Sequence, residues 1–99
     1  MHMTAGEHGN SLGPMAGYRV LELGSLIAGA TCGRLLAEFG AEVIKVEPVG
    51  SGDPLRNLGG KLQGRSLWAA TAMRNKKLIA VNLKMPLGQK LIRELVAHC

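Results

Sequence analysis

The sequence predicts an α/β fold: a Rossmann-like parallel sheet with flanking helices, incomplete, forming the first part of a larger doubly wound domain. Three observations predict it. Two short aliphatic runs flank a helical run within about 30 residues, which is the spacing of a βαβ unit with a parallel strand pair. A third aliphatic run and a second amphipathic helix then repeat the alternation. The apolar pattern of that last helix continues unbroken to Cys99, with no stop signal and no following strand. Three parallel strands and two helices would leave an open edge and a poorly covered face.

Residues 1–13 are polar and glycine-rich and are expected to form a flexible tail, leaving 14–99 as the N-terminal part of the large domain. His2 and His8 fall in this tail and are not read as ligands. Tyr18 to Leu23 reads as the first strand, bounded by Gly17 and Gly24. A helix follows, with Ala28, Cys32, Leu35, Leu36 and Phe39 spaced to share one face and Gly40 as its C-terminal stop. Glu42 to Glu47 is the second strand, ended by Pro48. Residues 48–65 read as a long loop, and loops beyond roughly 12–15 residues are usually functional or disordered. A short helix is expected over 66–73, a basic turn over 74–77, and a third strand over 78–83. Pro86 suits the first turn of the final helix, where its missing N–H costs nothing. Leu87, Leu91, Leu95 and Cys99 are expected to face the sheet, with Lys90, Arg93 and Glu94 in water.

Composition bounds the function. The chain has 99 residues, 46% apolar and 19% charged, as globular domains do. No apolar run approaches the ~20 residues needed to span a bilayer, and no basic-then-apolar leader opens the chain. Neither a membrane partner nor secretion is expected. Cys32 and Cys99 have no metal or redox spacing, which fits a reducing, cytoplasmic setting and no bound metal. The net charge of +5 hides an asymmetry. Residues 1–53 carry three bases and six acids, net −3, whereas 54–99 carry nine bases and one acid, net +8. The second half is either a solvated basic face or a surface for anions.

The motifs narrow this. Gly24-Ser25-Leu26-Ile27-Ala28-Gly29 follows the first strand, where glycines either admit a phosphate to a helix N-terminus or allow close helix–sheet packing. Leu26 stands where a dinucleotide fingerprint needs its second glycine, and Gly29 is not followed by the Lys-Ser/Thr of a P-loop. Glu47 lies 23 residues after Gly24, where a dinucleotide site places its ribose-binding acid. Val20 to Gly24 also has the look of a methyltransferase opening, without that motif's later glycines. No Ser/His/Asp or Cys/His set is present, and Asp53, the only aspartate, sits in a Gly-Asp-Pro turn. Trp68 is the only aromatic among the bases at 56–77, whereas stacking on nucleic-acid bases wants several, so nucleic acid is not the expected partner. A nucleotide- or nucleic-acid-binding module, or a Rossmann-type enzyme using NAD or a methyl donor, remains the alternative.

The order of segments is more specific than any one of them. Gly17 to Leu23, Ala28-Gly29, Leu36 to Pro48, Gly52-Asp53-Pro54-Leu55-Arg56, Arg74-Asn75-Lys76-Lys77 and Val81-Asn82-Leu83-Lys84 succeed one another over about residues 15–99. This series resembles the N-terminus of the family III CoA-transferases, the formyl-CoA transferase, carnitine CoA-transferase and α-methylacyl-CoA racemase group. The resemblance implies a Rossmann-like large domain, an interlocked homodimer, and CoA or acyl-CoA with a carboxylic acid as substrates. It also implies an aspartate nucleophile that forms covalent intermediates and lies beyond residue 99. Asp53 does not match it, so the chain alone is expected to be inactive. By the same resemblance, Ile27 and Ala28 fall in a CoA-contacting loop. Pro48 stands where several members carry arginine, and Val81, Asn82, Leu83 and Lys84 form a further CoA-contacting stretch. Arg56 and the cluster at 74–77 are second-tier candidates for the nucleotide end.

Overall fold

The computed structural model describes residues 13–99; residues 1–12 of the expected 1–13 tail lie outside the described residues. Strand β1 (Arg19–Glu22) leads to helix α1 (Ala28–Glu38) and strand β2 (Glu42–Glu47). A 3-10 turn (Pro54–Asn57), a hairpin of β3 (Lys61–Leu62) and β4 (Arg65–Ser66), and helix α2 (Leu67–Ala72) connect to strand β5 (Lys76–Ala80). Helix α3 (Pro86–Val96) follows. Strands β1, β2 and β5 form a parallel sheet in the order β1-β2-β5, as the βαβ reading predicts.

Pairing in the sheet sets which side chain meets which helix. Val81 and Ile92 pack with Val46, Leu21 and Ile79, so α3 covers one face. Ala37 packs with Val43 and Val20, which puts α1 on the other. The α1 face is the unusual one. A central strand of a parallel sheet is covered on both sides and is normally apolar throughout. Yet Glu22, Lys45 and Glu47 all lie buried here, Lys45 with 0% exposure.

That charged layer corrects the expected helix face. Ala30, Gly33 and Ala37 are the buried positions of α1, while Ala28, Cys32, Leu35 and Phe39 are exposed. The small residues leave room for buried carboxylate and ammonium groups: a Cβ on Gly33 would stand 2.0 Å from Glu22 Oε1. The helix ends as expected. Gly40 takes φ 106°, its N–H donates to Ala37 O, and the Ala41 N–H donates to Leu36 O. These two bonds close the last turn as a left-handed glycine cap does.

Three further expectations change. The segment 48–65 holds a 3-10 turn and a hairpin whose two-residue turn, Gln63-Gly64, has positive φ at both positions. Such turns match the twist of paired strands. The third strand spans 76–80, so Lys76 and Lys77 belong to the sheet, and Asn82 and Leu83 lie in the loop beyond it. Finally, α3 buries Ile92, whereas Leu87 is 76% and Leu91 49% exposed and Cys99 is exposed. Gly88 explains the rotation. It sits so close to the loop before α3 that a Cβ would meet Asn82 O at 2.1 Å, which turns the Gly88 and Ile92 side toward the sheet.

Candidate functional site

A cleft of ≈ 400 Å³ opens at the C-terminal ends of the three parallel strands. Open α/β sheets bind ligands there, because loops diverge to either side. Leu23, Gly24 and Ser25 follow β1, Glu47, Pro48 and Val49 end or follow β2, and Val81 to Lys84 follow β5. Five of the seven residues expected to contact CoA therefore share one hollow: Pro48, Val81, Asn82, Leu83 and Lys84. Ile27 and Ala28 do not line it. Both are exposed at the start of α1, just after the Gly24–Leu26 loop in the chain.

The β5 wall is held firmly. Val81 N–H donates to Glu47 O at 3.0 Å, extending the sheet ladder by one bond. Asn82 Oδ1 accepts the Lys84 N–H at 3.0 Å and shapes the turn. Gln89 Nε2 donates to Leu83 O at 2.9 Å, tying the same loop to α3. Asn82 thus spends its acceptor internally and presents its amide N–H groups. Helices α1 and α3 both begin without a side-chain cap. In α3 the first position is Pro86, which has no N–H to satisfy.

The cleft's acids are neutralised from behind. Glu47 accepts from Arg56 through both oxygens, Nε to Oε1 at 2.8 Å and the terminal nitrogen to Oε2 at 2.7 Å. It also accepts the Asp53 N–H at 2.9 Å. The Arg56 hydrogen bond holds the Glu47 carboxyl below its usual range; burial opposes this, and the Asp53 N–H adds to the lowering. A ribose-binding role for Glu47, as in dinucleotide sites, is therefore closed. Its oxygens are committed within the fold.

Asp53 is more deeply embedded, at 1% exposure. Its Oδ1 accepts the N–H groups of Leu55 at 2.9 Å and Leu26 at 3.0 Å. Its Oδ2 pairs with Lys45 Nζ at 2.7 Å. Lys45 also reaches Glu22 Oε2 at 2.7 Å and Gly24 O at 3.3 Å. Glu22 Oε1 in turn holds Lys76 Nζ at 2.6 Å, and Lys76 donates to Ala30 O. Burial pushes the Asp53 carboxyl up. The Leu55 N–H, the Lys45 ammonium and the Leu26 N–H outweigh it and leave the group below its usual value. Burial likewise pulls Lys45 down, and the hydrogen bonds it donates to Asp53 and Glu22 raise it above its usual value. With both oxygens engaged, Asp53 is not placed to attack a thioester.

Ion pairing also resolves the charge asymmetry. Arg74 pairs with Glu38, Lys77 with Glu42 at 3.2 Å, Arg56 with Glu47 and Lys76 with Glu22. Much of the excess positive charge of the second half thus meets the excess negative charge of the first. The 56 and 74–77 candidates are largely consumed by the fold. A larger hollow of ≈ 710 Å³ beside α2 is lined by Arg56 and Arg74, both already paired, and by Arg65, which has no carboxylate partner among the described residues; it draws nothing from the loops after β1 or β5. In the strand-end cleft, Lys84 is the cation on the lining without a carboxylate partner among the described residues. Among the described residues no cluster of His, Cys, Asp and Glu could hold a metal ion, and no helix is long and apolar enough to cross a membrane.

Residues 15–99 match the family model for CoA-transferase family III. The chain belongs to CoA-transferase family III. Over 86 residues it is 55% identical to the succinyl-CoA–D-citramalate CoA-transferase of Chloroflexus aurantiacus, covering 86% of this chain and 21% of that protein. Over 91 residues it is 44% identical to the human succinyl-CoA:glutarate CoA-transferase, covering 91% of this chain and 21% of that protein. A CAIB/BAIF family protein from Brucella suis superposes with a TM-score of 0.78 at 32% identity, over 89% of this chain and 24% of that one. The chain thus spans about a fifth of the length of the curated relatives it matches. It shares the parallel α/β architecture of its family over that fifth.

Three features of the site escaped sequence reasoning: the buried Glu22–Lys45–Asp53 chain, its extension to Lys76, and Gly88. The alternation in Glu42-Val43-Ile44-Lys45-Val46-Glu47 carried a signal for the first, since it sets Lys45 and Glu47 on the same face as Val43 in a central strand.

Proposed function

We propose that this chain is the N-terminal, CoA-binding part of a longer acyl-CoA:carboxylate CoA-transferase. The observation that carries the reading is the strand-end cleft, in which Pro48, Val81, Asn82, Leu83 and Lys84 converge and Lys84 supplies an ammonium with no carboxylate partner among the described residues. A CoA phosphate fits Lys84, and the Asn82 amide can donate to a phosphate or ribose oxygen. Leu23, Val49 and Leu83 give the hollow apolar walls for a flat base or an aliphatic arm. Ile27 and Ala28 lie outside the cleft lining, so a contact from them rests on the family resemblance alone. A planar ligand anchored by a few polar groups is what a hollow of ~300–1,000 Å³ usually accepts.

The named activities of the relatives point to a succinyl-CoA donor and a carboxylic acid acceptor for the complete enzyme. The nucleophile is an aspartate beyond residue 99, which attacks the acyl thioester and carries CoA between acids. The buried, fully bonded state of Asp53 supports that division. The large apolar side chains exposed on α1 and α3 (Leu35, Phe39, Leu87 and Leu91) support a chain that continues and an interlocked homodimer that covers them. A cytoplasmic setting fits free Cys32 and Cys99. The pairing of Arg56, Arg74, Lys76 and Lys77 argues against a nucleic-acid surface.

The test is calorimetric titration of the full-length protein with CoA, NAD and a short oligonucleotide. CoA alone should bind. Binding of the oligonucleotide without CoA would overturn the reading.

A further inference from the structure

The loop between β1 and α1 forms one wall of the cleft, through Leu23, Gly24 and Ser25. It has little of its own to keep it in place. Leu26 takes φ 61°, a left-handed backbone that disfavours a branched side chain. Such a residue persists only where its surroundings over-determine it. Here the surroundings are two buried charges. The Asp53 carboxylate accepts the Leu26 N–H, and Lys45 donates to the Gly24 carbonyl. Both ends of the three-residue segment are thereby tied to one ion pair, Lys45–Asp53, at 2.7 Å. That pair is fixed in turn by Glu22 on Lys45 and by Glu47, which accepts the Asp53 N–H.

We propose that Asp53 is a positioning residue for CoA: backed by Lys45, it holds the Gly24–Leu26 wall in the geometry that binds the ligand. The proposal rests on the CoA-binding reading above. It assigns Asp53 no contact with a reacting atom. Its carboxylate fixes the backbone that the ligand meets; Asp53 itself is on the cleft lining, and Pro48 and Val81 to Lys84 form the other walls.

The test uses the full-length protein with Asp53→Asn and Asp53→Ala. CoA affinity is measured by titration, and stability by thermal unfolding. Asparagine keeps an oxygen for the Leu26 N–H but loses the charge opposite Lys45; alanine loses both. A positioning role predicts a graded effect on binding. The Kd for CoA should rise about threefold in Asp53→Asn and tenfold or more in Asp53→Ala. The KM for the CoA ester should rise further than kcat falls. Stability should drop in both variants, since both leave Lys45 with Glu22 as its one carboxylate, and further in Asp53→Ala, which also leaves the Leu26 and Leu55 N–H groups without their acceptor. Equal CoA affinity in all three proteins, or a fall in kcat as large as the rise in KM, would overturn the proposal.

Should both variants fail to fold, amide exchange in the unmodified protein decides. The Leu26 N–H should exchange slowly and more slowly still with CoA bound. Rapid exchange, or no response to CoA, would overturn the proposal. If the unmodified protein binds no CoA, the functional reading falls and the positioning role falls with it. If it binds and Asp53→Ala binds equally well, the positioning role alone is wrong.

Discussion

Adding one methyl group at Gly33 should unfold much of the α1 side of this sheet. In Gly33→Ala the new Cβ would stand 2.0 Å from Glu22 Oε1 and 3.1 Å from Glu22 Cδ, far inside contact distance. Helix α1 cannot simply rise, because Ala30 and Ala37 on the same face are packed into the core. The Glu22 carboxylate must move instead, and it is the shared partner of Lys45 and Lys76, both with side-chain exposures of 0%. Breaking a buried ion pair by displacing one partner costs about 3–5 kcal/mol. Alanine recovers roughly 1 kcal/mol of helix propensity over glycine. The net loss is then about 2–4 kcal/mol. Urea unfolding of the chain followed by far-UV circular dichroism measures it. Glu22→Asp in the same background, with a carboxylate one methylene shorter, should return part of the loss. A Gly33→Ala protein as stable as its parent would refute the claim that Gly33 exists to seat Glu22.

Other outcomes follow from the same geometry. Lys84→Ala should weaken CoA binding by about 1.5–3 kcal/mol, the range for a hydrogen bond to a charged group, without changing the unfolding midpoint; an unchanged KM for the CoA substrate would remove Lys84 from the site. Gly88→Ala places a Cβ 2.1 Å from Asn82 O and should push the Val81–Lys84 wall out of register, raising the Kd for CoA although Gly88 itself is not part of that wall. Asp53 and Glu47 titrate below their ordinary values of 3.8 and 4.5, so their stabilisation is complete above those values and fades as pH falls through the lower folded ones. Lys45 titrates above its ordinary 10.5, so its share is complete below that and fades only in stronger alkali. Thermal unfolding midpoints should therefore show no loss from these groups between neutrality and about pH 4.5, with acid destabilisation below. If the nucleophile lies beyond residue 99, as proposed, a hydroxylamine-trappable intermediate of the full-length protein should persist in Asp53→Asn; its disappearance would mean that Asp53 is the attacking group.

The sequence made the skeleton legible because the cues were local. Gly40 had to be a left-handed cap, Pro48 had to end a strand, and Pro86 had to sit in a first turn. What it concealed was which side of each helix meets the sheet. Large apolar residues at helical spacing, such as Leu35 with Phe39 and Leu87 with Leu91, look like core but lie outward. The inward faces are built from Ala30, Gly33 and Ala37 and from Gly88 and Ile92, whose value is small size as much as apolarity. Small residues are needed there because charges lie beneath α1 and a loop presses on α3, and both are tertiary facts. The site behaved the same way. Its residues could be placed one by one along the chain, and Pro48 did meet Val81 to Lys84. The pairing that commits Glu47, Arg56 and Asp53 to the fold depends on contacts between residues 6 to 27 positions apart.

The central claim is that the strand-end cleft holds CoA. The direct measurement is amide exchange across the full-length protein with and without saturating CoA. CoA should slow exchange in the Val81–Lys84 loop and around Val49, next to Pro48, and leave the hairpin at 61–66 unaffected. CoA bound at saturation with no protection in either wall would contradict the claim.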